Sequence, residues 1–195
     1  MLTLPRAALL TILLGLGVAT PTAAAAGEPT DQIRADIERV SRTVQAPGAG
    51  QAGDREGAEI LDRMFDWTRM SEAALGKHWA PRTAAERAEF ARLFGRVFRG
   101  AYLSRIHLVD ASKFQYLGDV NDGDRATVKT IVVTRKGSSI GVEYLTRRDR
   151  EGRWRVEDVR VERVSLVGNY RTQFDTFITR SSYEALVSKL RDMGK

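Results

Sequence analysis

The residues best suited to nucleophilic catalysis lie in the run Gly-Ser-Ser-Ile-Gly at positions 137–141, which matches the pattern Gly-x-Ser-x-Gly. In hydrolases with this pattern, the serine stands between a strand and a helix, where its hydroxyl is exposed. Here the run lies in a turn that leads into a strand. The only histidines, His78 and His107, both precede the serine, against the chain order of that fold. The pattern therefore does not predict a hydrolase.

A second group of polar residues, Asp119, Asn121, Asp122 and Asp124, offers several oxygen atoms of the kind that bind calcium. Their spacing departs from that of an EF-hand loop, and no glutamate closes the loop. Asn, Asp and Gly together are also typical of hairpin turns. The chain has no cysteine, which excludes disulfide bonds and thiolate metal sites. We therefore predict a turn here, with no metal and no other cofactor.

The first 26 residues have the composition of a secretory signal peptide. Arg6 precedes an apolar run at residues 7–19, and three alanines end the segment at Ala26. The run is shorter than the roughly 20 apolar residues of a membrane span. We predict a signal peptide at residues 1–26, cleaved near Ala26, followed by one periplasmic domain at residues 27–195.

The charge of the chain does not indicate a nucleic-acid-binding protein. The formal net charge is +6, which permits binding to anionic surfaces or acidic partners. However, acidic and basic residues alternate in the run Arg-Arg-Asp-Arg-Glu at residues 147–151, as in a solvated hairpin. Nucleic acid is also not expected as the partner of an exported protein.

The spacing of apolar residues predicts helices at both ends of the mature chain. Thr30 is expected to cap the first helix, which is followed by a flexible loop at residues 46–53 rich in Gly and Ala. Thr83 and Glu86 match a capping box, which predicts that a long, widely apolar helix spans residues 83–106.

Between these helices the apolar period changes to two, which predicts four strands joined by short turns. The phase changes between Val156 and Val159, so a β-bulge is expected near Glu157 and Asp158. A bulge bends its strand. The predicted fold class is therefore α+β, with a curved four-stranded antiparallel sheet packed by helices at both the N- and C-terminal ends.

The helix after Ser165 carries an aromatic stripe. Apolar residues recur there at helical spacing, and the stripe must be covered by the sheet or by a ligand; its members are Leu166, Tyr170, Phe174, Phe177 and Ile178. A gap between a curved sheet and such helices, lined by Val, Phe and Tyr, suits acyl chains. Plain core packing explains the stripe equally well.

Two motifs in the chain resemble those of one protein family. They are the run Leu-Gly-Lys-His-Trp at residues 75–79 and the run Ser-Leu-Val-Gly-Asn-Tyr-Arg-Thr-Gln-Phe at residues 165–174. Helical segments at residues 65–70 and 89–94 support the likeness. The sequence thus resembles the MlaC-type periplasmic phospholipid-binding family, also called toluene-tolerance auxiliary proteins.

The resemblance implies an NTF2-like lipid carrier that encloses acyl tails and is not an enzyme. The implied partners are a phospholipid, an outer-membrane lipoprotein complex and an inner-membrane ABC transporter bearing an MCE-domain protein, in a system that maintains outer-membrane lipid asymmetry. A related branch implies a hopanoid as the alternative cargo. We expect the protein to be a monomer.

The direction in which side chains face suggests which residues line a lipid site. These candidates are Trp79, Phe98, Tyr102, Val142, Tyr144, Val161, Tyr170 and Phe174. His78 is expected to be a structural hydrogen-bonding residue. An enzyme on the same scaffold would need a carboxylate in the lining, and Asp158 and Glu143 are the candidates on the sheet. A structural subunit of an envelope complex, its apolar face covered by protein, is the third possibility.

Overall fold

A computed structural model describes residues 27–106 and 114–193 of this protein. The predicted signal peptide and His107 lie outside the described residues. The helices before the sheet are α1 (Glu28–Gln45), α2 (Gly50–Met64), α3 (Trp67–Leu75) and α4 (Ala84–Ile106), with a 3-10 turn at Gly76–His78. The strands are β1 (Gln115–Asp122), β2 (Arg125–Val133), β3 (Ser139–Arg148), β4 (Trp154–Val161) and β5 (Val164–Ser165). Helices α5 (Leu166–Arg180) and α6 (Tyr183–Met193) end the fold, and the predicted α+β class is confirmed.

The sheet is antiparallel throughout and has the strand order β1-β2-β3-β4-β5. The prediction of four strands was wrong by one, because β5 has only two residues and so shows no alternating pattern. It pairs with the end of β4 through a tight turn at Glu162 and Arg163, whose φ angles are 49° and 68°. Residues other than glycine rarely adopt such angles, so their sequence did not indicate a turn.

The sheet is bent by the predicted bulge. Leu145 pairs with Asp158 and Thr146 pairs with Val156, which leaves Glu157 as the extra residue of β4. A second irregularity lies in β1, where the register shifts between Tyr116 and Gly118 and Leu117 is exposed. Bulges increase local twist, so the sheet curves around the helices that pack on it.

Of the two helix starts predicted from capping residues, one is confirmed and the other is wrong. The capping box is confirmed, since the Thr83 amide donates to Glu86 Oε2 at 2.7 Å and the Glu86 amide donates to Thr83 Oγ1 at 3.2 Å. Thr30, in contrast, is not the cap of α1. Gly27 takes that position, and the Thr30 hydroxyl lies in the first turn, where it donates to Asp119 on β1.

The predicted loop at residues 46–53 is also wrong, because α2 begins at Gly50 and only residues 46–49 connect it to α1. The glycines serve close packing of the two helices. A Cβ atom at Gly53 would lie 2.7 Å from the carbonyl oxygen of Thr43, and one at Gly57 would lie 2.7 Å from Cγ2 of Val44. Glycine here therefore permits close contact between helices, which sequence alone cannot distinguish from flexibility.

The core lies between the inner face of the sheet and the helices. Its largest fully buried side chains include Phe65 before α3 and Phe90 and Phe94 on α4. Tyr183, Leu186, Val187 and Leu190 of α6 are buried and share one face of that helix. Within the two described segments, no helix has the length and apolar character needed to cross a membrane.

Candidate functional site

The rings of α4 and α5 meet along one aromatic stripe. Phe90, Phe94, Phe98 and Tyr102 recur every fourth residue of α4, so they share one face of the helix. Tyr170 of α5 contacts Phe94 at a centroid distance of 5.1 Å and Phe98 at 6.2 Å. The rings of α4 and those of α5 therefore form one continuous aromatic surface rather than two separate ones.

Aliphatic residues of the sheet face this surface. Val142 of β3 pairs directly with Val161 of β4, and Tyr144, two positions later on β3, pairs with Val159. The hydroxyl of Tyr144 lies 3.4 Å from that of Tyr102, which links the sheet to α4. The apolar lining thus runs from α5 across α4 to the middle of the sheet.

The predicted lining residues fall into two groups. Seven lie in one region, connected by ring contacts that include Phe65, by the hydroxyl contact, by strand pairing and by shared position on one face of β3: Phe98, Tyr102, Val142, Tyr144, Val161, Tyr170 and Phe174. Trp79 lies apart, at the end of the 3-10 turn, where the guanidinium of Arg87 covers its ring at 5.4 Å. Trp79 also packs against the hydrophobic core.

Burial differs among these residues. Tyr144, Phe98, Phe174 and Val142 are between 2% and 8% exposed, as core residues are. The others are only partly buried, and they are Trp79, Tyr102, Val161 and Tyr170. These four residues therefore keep part of their surface exposed to solvent.

The sequence reasoning did not include several residues of this region in the lining, among them Phe90, Phe94, Phe65 and Tyr116. Phe94 precedes Phe98 by four positions, so its helical spacing could have revealed it. Phe65 contacts Phe98 at 5.6 Å and Tyr102 at 5.8 Å. It continues the helical spacing of Leu61 and Met64 but lies just after the end of α2, in the connection before α3. Tyr116 joins the region only through strand register.

That register brings Tyr116 of β1 opposite Thr130 of β2, which in turn pairs with Val142 of β3. The three therefore lie in one row on the same face of the sheet. The guanidinium of Arg34, from α1, lies over the Tyr116 ring at 4.8 Å from its centroid. Tyr116 thus forms the β1 side of the region.

Burial keeps the phenol groups of this region neutral. It raises the pKa of Tyr102 and Tyr144 above the usual value of 10.0, because a phenolate is costly away from water. Burial also raises the pKa of Tyr116 and that of Tyr170, which are both partly buried. These hydroxyls are therefore hydrogen-bond donors and acceptors, not acid–base groups, at neutral pH.

The residues that sequence reasoning considered for catalysis serve the fold instead. Asp158 accepts hydrogen bonds from the Ser165 hydroxyl at 2.6 Å and the Val167 amide at 3.1 Å. Glu143 pairs with Arg160 at 3.7 Å. Ser139 is the first residue of β3 and is exposed. The acidic turn after β1 contains Asp119, whose carboxylate anchors α1.

His78 connects two helical segments. Its Nε2 lies 2.7 Å from Oδ1 of Asp175 on α5, and Lys77 Nζ lies 2.7 Å from the same oxygen. Hydrogen bonds from Lys77 and His78 lower the pKa of Asp175. Among residues 27–106 and 114–193, no three His, Cys, Asp or Glu side chains are grouped so that they could hold a metal ion.

Comparison with known proteins identifies the family of this chain and a solved structure with a similar fold. The comparison with curated proteins finds no match. A phospholipid-binding protein from Ralstonia solanacearum, solved in complex with a phospholipid, has a similar structure, with a TM-score of 0.71. It is 18% identical and the alignment covers 86% of this chain and 97% of that one, so it shows a shared fold. The family model described as "MlaC protein" matches residues 35–192, which is most of the chain, and the chain therefore belongs to the MlaC family.

Proposed function

We propose that this protein is a phospholipid carrier that holds acyl chains between α4, α5 and the inner face of the sheet. The observation that carries the proposal is the continuous lining of aromatic rings and valines that joins these three elements. Membership of the MlaC family supports it, as does the fold shared with a phospholipid-binding protein. In this role the protein is a binding and transport protein rather than an enzyme.

The proposed tail-contacting residues are the predicted set, and they divide by position. Phe98, Tyr170 and Phe174 would contact a chain from the helices, while Val142, Tyr144 and Val161 would contact it from the sheet. Tyr102 joins the two sides and Trp79 would contact a chain from the 3-10 turn. Each methylene moved out of water contributes about 0.8 kcal/mol of favourable free energy. Moving a whole chain of about 16 carbons out of water therefore contributes roughly 12 kcal/mol, provided that the site shields the chain from solvent. A lining of rings and methyl groups is suited to that task.

We further infer the location and partners from the family. The signal peptide would be cleaved near Ala26, so that a monomeric mature protein of residues 27–195 works in the periplasm. It would carry lipid between an outer-membrane lipoprotein complex and an inner-membrane ABC transporter with an MCE-domain protein. A hopanoid as cargo, or a structural role without cargo, is an alternative outcome of the test below.

Native mass spectrometry of the exported protein, purified without detergent, tests the proposal. We expect the mass of a chain starting near Gly27 with one bound phospholipid, which solvent extraction from the same sample releases. A polycyclic lipid in that position would assign the hopanoid cargo. A protein that is empty, and that takes no lipid from phosphatidylethanolamine vesicles, would overturn the carrier proposal and favour a structural subunit.

A pair of variants on α5 tests the lining. Tyr170→Glu places a carboxylate among Phe94, Phe98 and Phe174, so the bound phospholipid should fall to a small fraction of the wild-type load. Gln173→Glu makes the same charge change at an exposed position of the same helix and should leave the load unchanged. Equal loads in both variants would remove Tyr170 from the proposed lining.

A further inference from the structure

Three tyrosines bring hydroxyl groups to the largely apolar inner side of the sheet. Tyr102 extends from α4 and Tyr144 from β3, and their hydroxyl oxygens are 3.4 Å apart. Tyr116 extends from β1, on the face of the sheet that Val142 and Tyr144 share. An apolar chain needs none of these polar atoms, so their presence in the lining requires a separate explanation.

The hydrogen bonds within the group leave donors unused. In the pair Tyr102–Tyr144, one hydroxyl donates to the other, so one of its two hydrogen atoms has no acceptor within the pair. The hydroxyl oxygen of Tyr116 is buried, and no group of residues 27–106 or 114–193 forms a hydrogen bond with it. Buried polar atoms in native proteins are nearly always paired. Two phenol hydrogens are thus available to a ligand.

The surroundings favour a neutral acceptor over an anion. Phe65 packs against Tyr102 at 5.8 Å. Val128 and Val159 pair directly with Tyr144, and Val142 lies two positions before it on the same face of the sheet. A charged group would be costly in such surroundings. Next to the Tyr116 ring, Arg34 pairs with Asp31 at 3.7 Å, and the charge of Glu38 adds to burial in raising the pKa of Tyr116. A carbonyl oxygen accepts hydrogen bonds without bringing a charge.

We propose that Tyr102, Tyr116 and Tyr144 together bind an uncharged acceptor oxygen in the lipid, namely the ester carbonyl that joins an acyl chain to glycerol. The inference rests on the proposed carrier function and makes it more specific. The site would recognise the bond between acyl chain and glycerol as well as the acyl chains themselves. Two available donor hydrogens match the two lone pairs of one carbonyl oxygen, or one hydrogen on each of two carbonyls.

Two lipids that differ only in the linkage test this directly. Delipidated protein is offered diacyl phosphatidylethanolamine and its dialkyl ether analogue with chains of equal length, and the bound fractions are compared by competition in native mass spectrometry. The ether has no carbonyl. We expect the wild-type protein to bind the ester about two- to tenfold more tightly, the usual range for one net hydrogen bond.

Variants identify the groups responsible. The triple variant Tyr102→Phe, Tyr116→Phe and Tyr144→Phe keeps all three rings, and its preference for the ester over the ether should disappear. Tyr183→Phe is the matched control, since it removes a phenol hydroxyl that donates to the Glu86 carbonyl at 3.2 Å, between α6 and α4. That control should keep the wild-type preference. Circular dichroism melting verifies that each variant is folded.

The outcomes separate the inference from the function on which it rests. Equal binding of ester and ether by the wild type overturns the ester site but does not affect the proposed carrier function. This comparison needs no variant. A preference that survives in the triple variant overturns the role of the tyrosines. Binding of neither lipid overturns the carrier function itself. If instead a polycyclic lipid alcohol is the ligand whose binding the triple variant loses, the ester assignment is overturned.

Discussion

At the scale of single residues, two aspartates that looked suited to chemistry prove to anchor helices. Asp119 of β1 accepts hydrogen bonds from the Gly27 amide at 3.0 Å and from the Thr30 hydroxyl at the start of α1. Asp158 of β4 accepts from the Val167 amide at the start of α5. A carboxylate at a helix N-terminus satisfies free amides and interacts favourably with the helix dipole. Their role is therefore positional.

The tyrosines give a pH prediction at this scale. The pKa of each of the five tyrosines is raised by burial, whereas the unfolded chain would ionise near pH 10. The folded state thus holds these protons more tightly than the unfolded state does. The resulting contribution to stability is fully present below pH 10 and is lost as the pH rises through the folded pKa values.

Absorbance at 295 nm, which reports tyrosinate, provides the measurement. We expect little ionisation of the native protein at pH 10, followed at higher pH by a steep rise that coincides with loss of the circular dichroism signal. In denaturant, all five should titrate together near pH 10. A reversible native-state step centred at pH 10 would contradict the burial of these groups.

At the scale of elements, the passage from the sheet into α5 depends on a compact junction. The turn at Glu162 and Arg163 reverses the direction of the chain, and the two residues of β5 then pair with β4. Ser165, the second of them, is also the N-cap of α5. The Ser165 hydroxyl oxygen accepts a hydrogen bond from the Gly168 amide at 2.8 Å while its hydrogen is donated to Asp158. This junction sets the direction of α5 and hence the position of Tyr170.

Ser165→Ala tests the junction. The variant loses the helix cap, so the free energy of unfolding should fall by about 1 kcal/mol, within a range of roughly 0.5–2 kcal/mol. Urea denaturation followed by circular dichroism measures the change. Thr176→Ala, at an exposed site on the same helix, should shift stability far less. Equal shifts in the two variants would argue against a capping role for Ser165.

At the scale of the whole molecule, α1 closes the fold by binding strands that lie far away in the chain. The Gln32 side chain accepts a hydrogen bond from the Trp154 amide at 2.9 Å and donates to the Trp154 carbonyl at 2.6 Å, across 122 positions. Asp119 holds the start of the same helix. Together these contacts connect α1 to both β1 and β4, so α1 spans the sheet between them.

Gln32→Ala should therefore destabilise the whole domain rather than one helix. It leaves the Trp154 amide and carbonyl without partners in a partly buried position, at a cost of about 1–3 kcal/mol. The measurement is the midpoint of urea unfolding by tryptophan fluorescence and by circular dichroism, which should fall together. Gln173→Ala, on the exposed side of α5, is the control. Separate transitions in the two signals would contradict a global role for Gln32.

The sequence by itself determined those features that depend on neighbouring residues. Period-two and period-3.6 spacing located the strands and helices, Thr83 and Glu86 marked the start of α4, and the phase change after Val156 marked the bulge at Glu157. The resemblance carried by residues 75–79 and 165–174 indicated the family that the match over residues 35–192 establishes. These signals are readable because each is complete within a few positions of the chain.

Only the tertiary structure decided what depends on distant partners. Thr30 and Asp119 are 89 positions apart. The local sequence therefore does not show that Thr30 binds Asp119 instead of capping α1, nor that Asp119 holds the start of this helix. Strand register alone brings Tyr116 into line with Val142, and packing between α1 and α2 explains why glycines occupy a helix there. Side chains that meet across the fold acquire their roles from that meeting, because hydrogen bonds and packing act over a few ångströms in space whatever the separation along the chain.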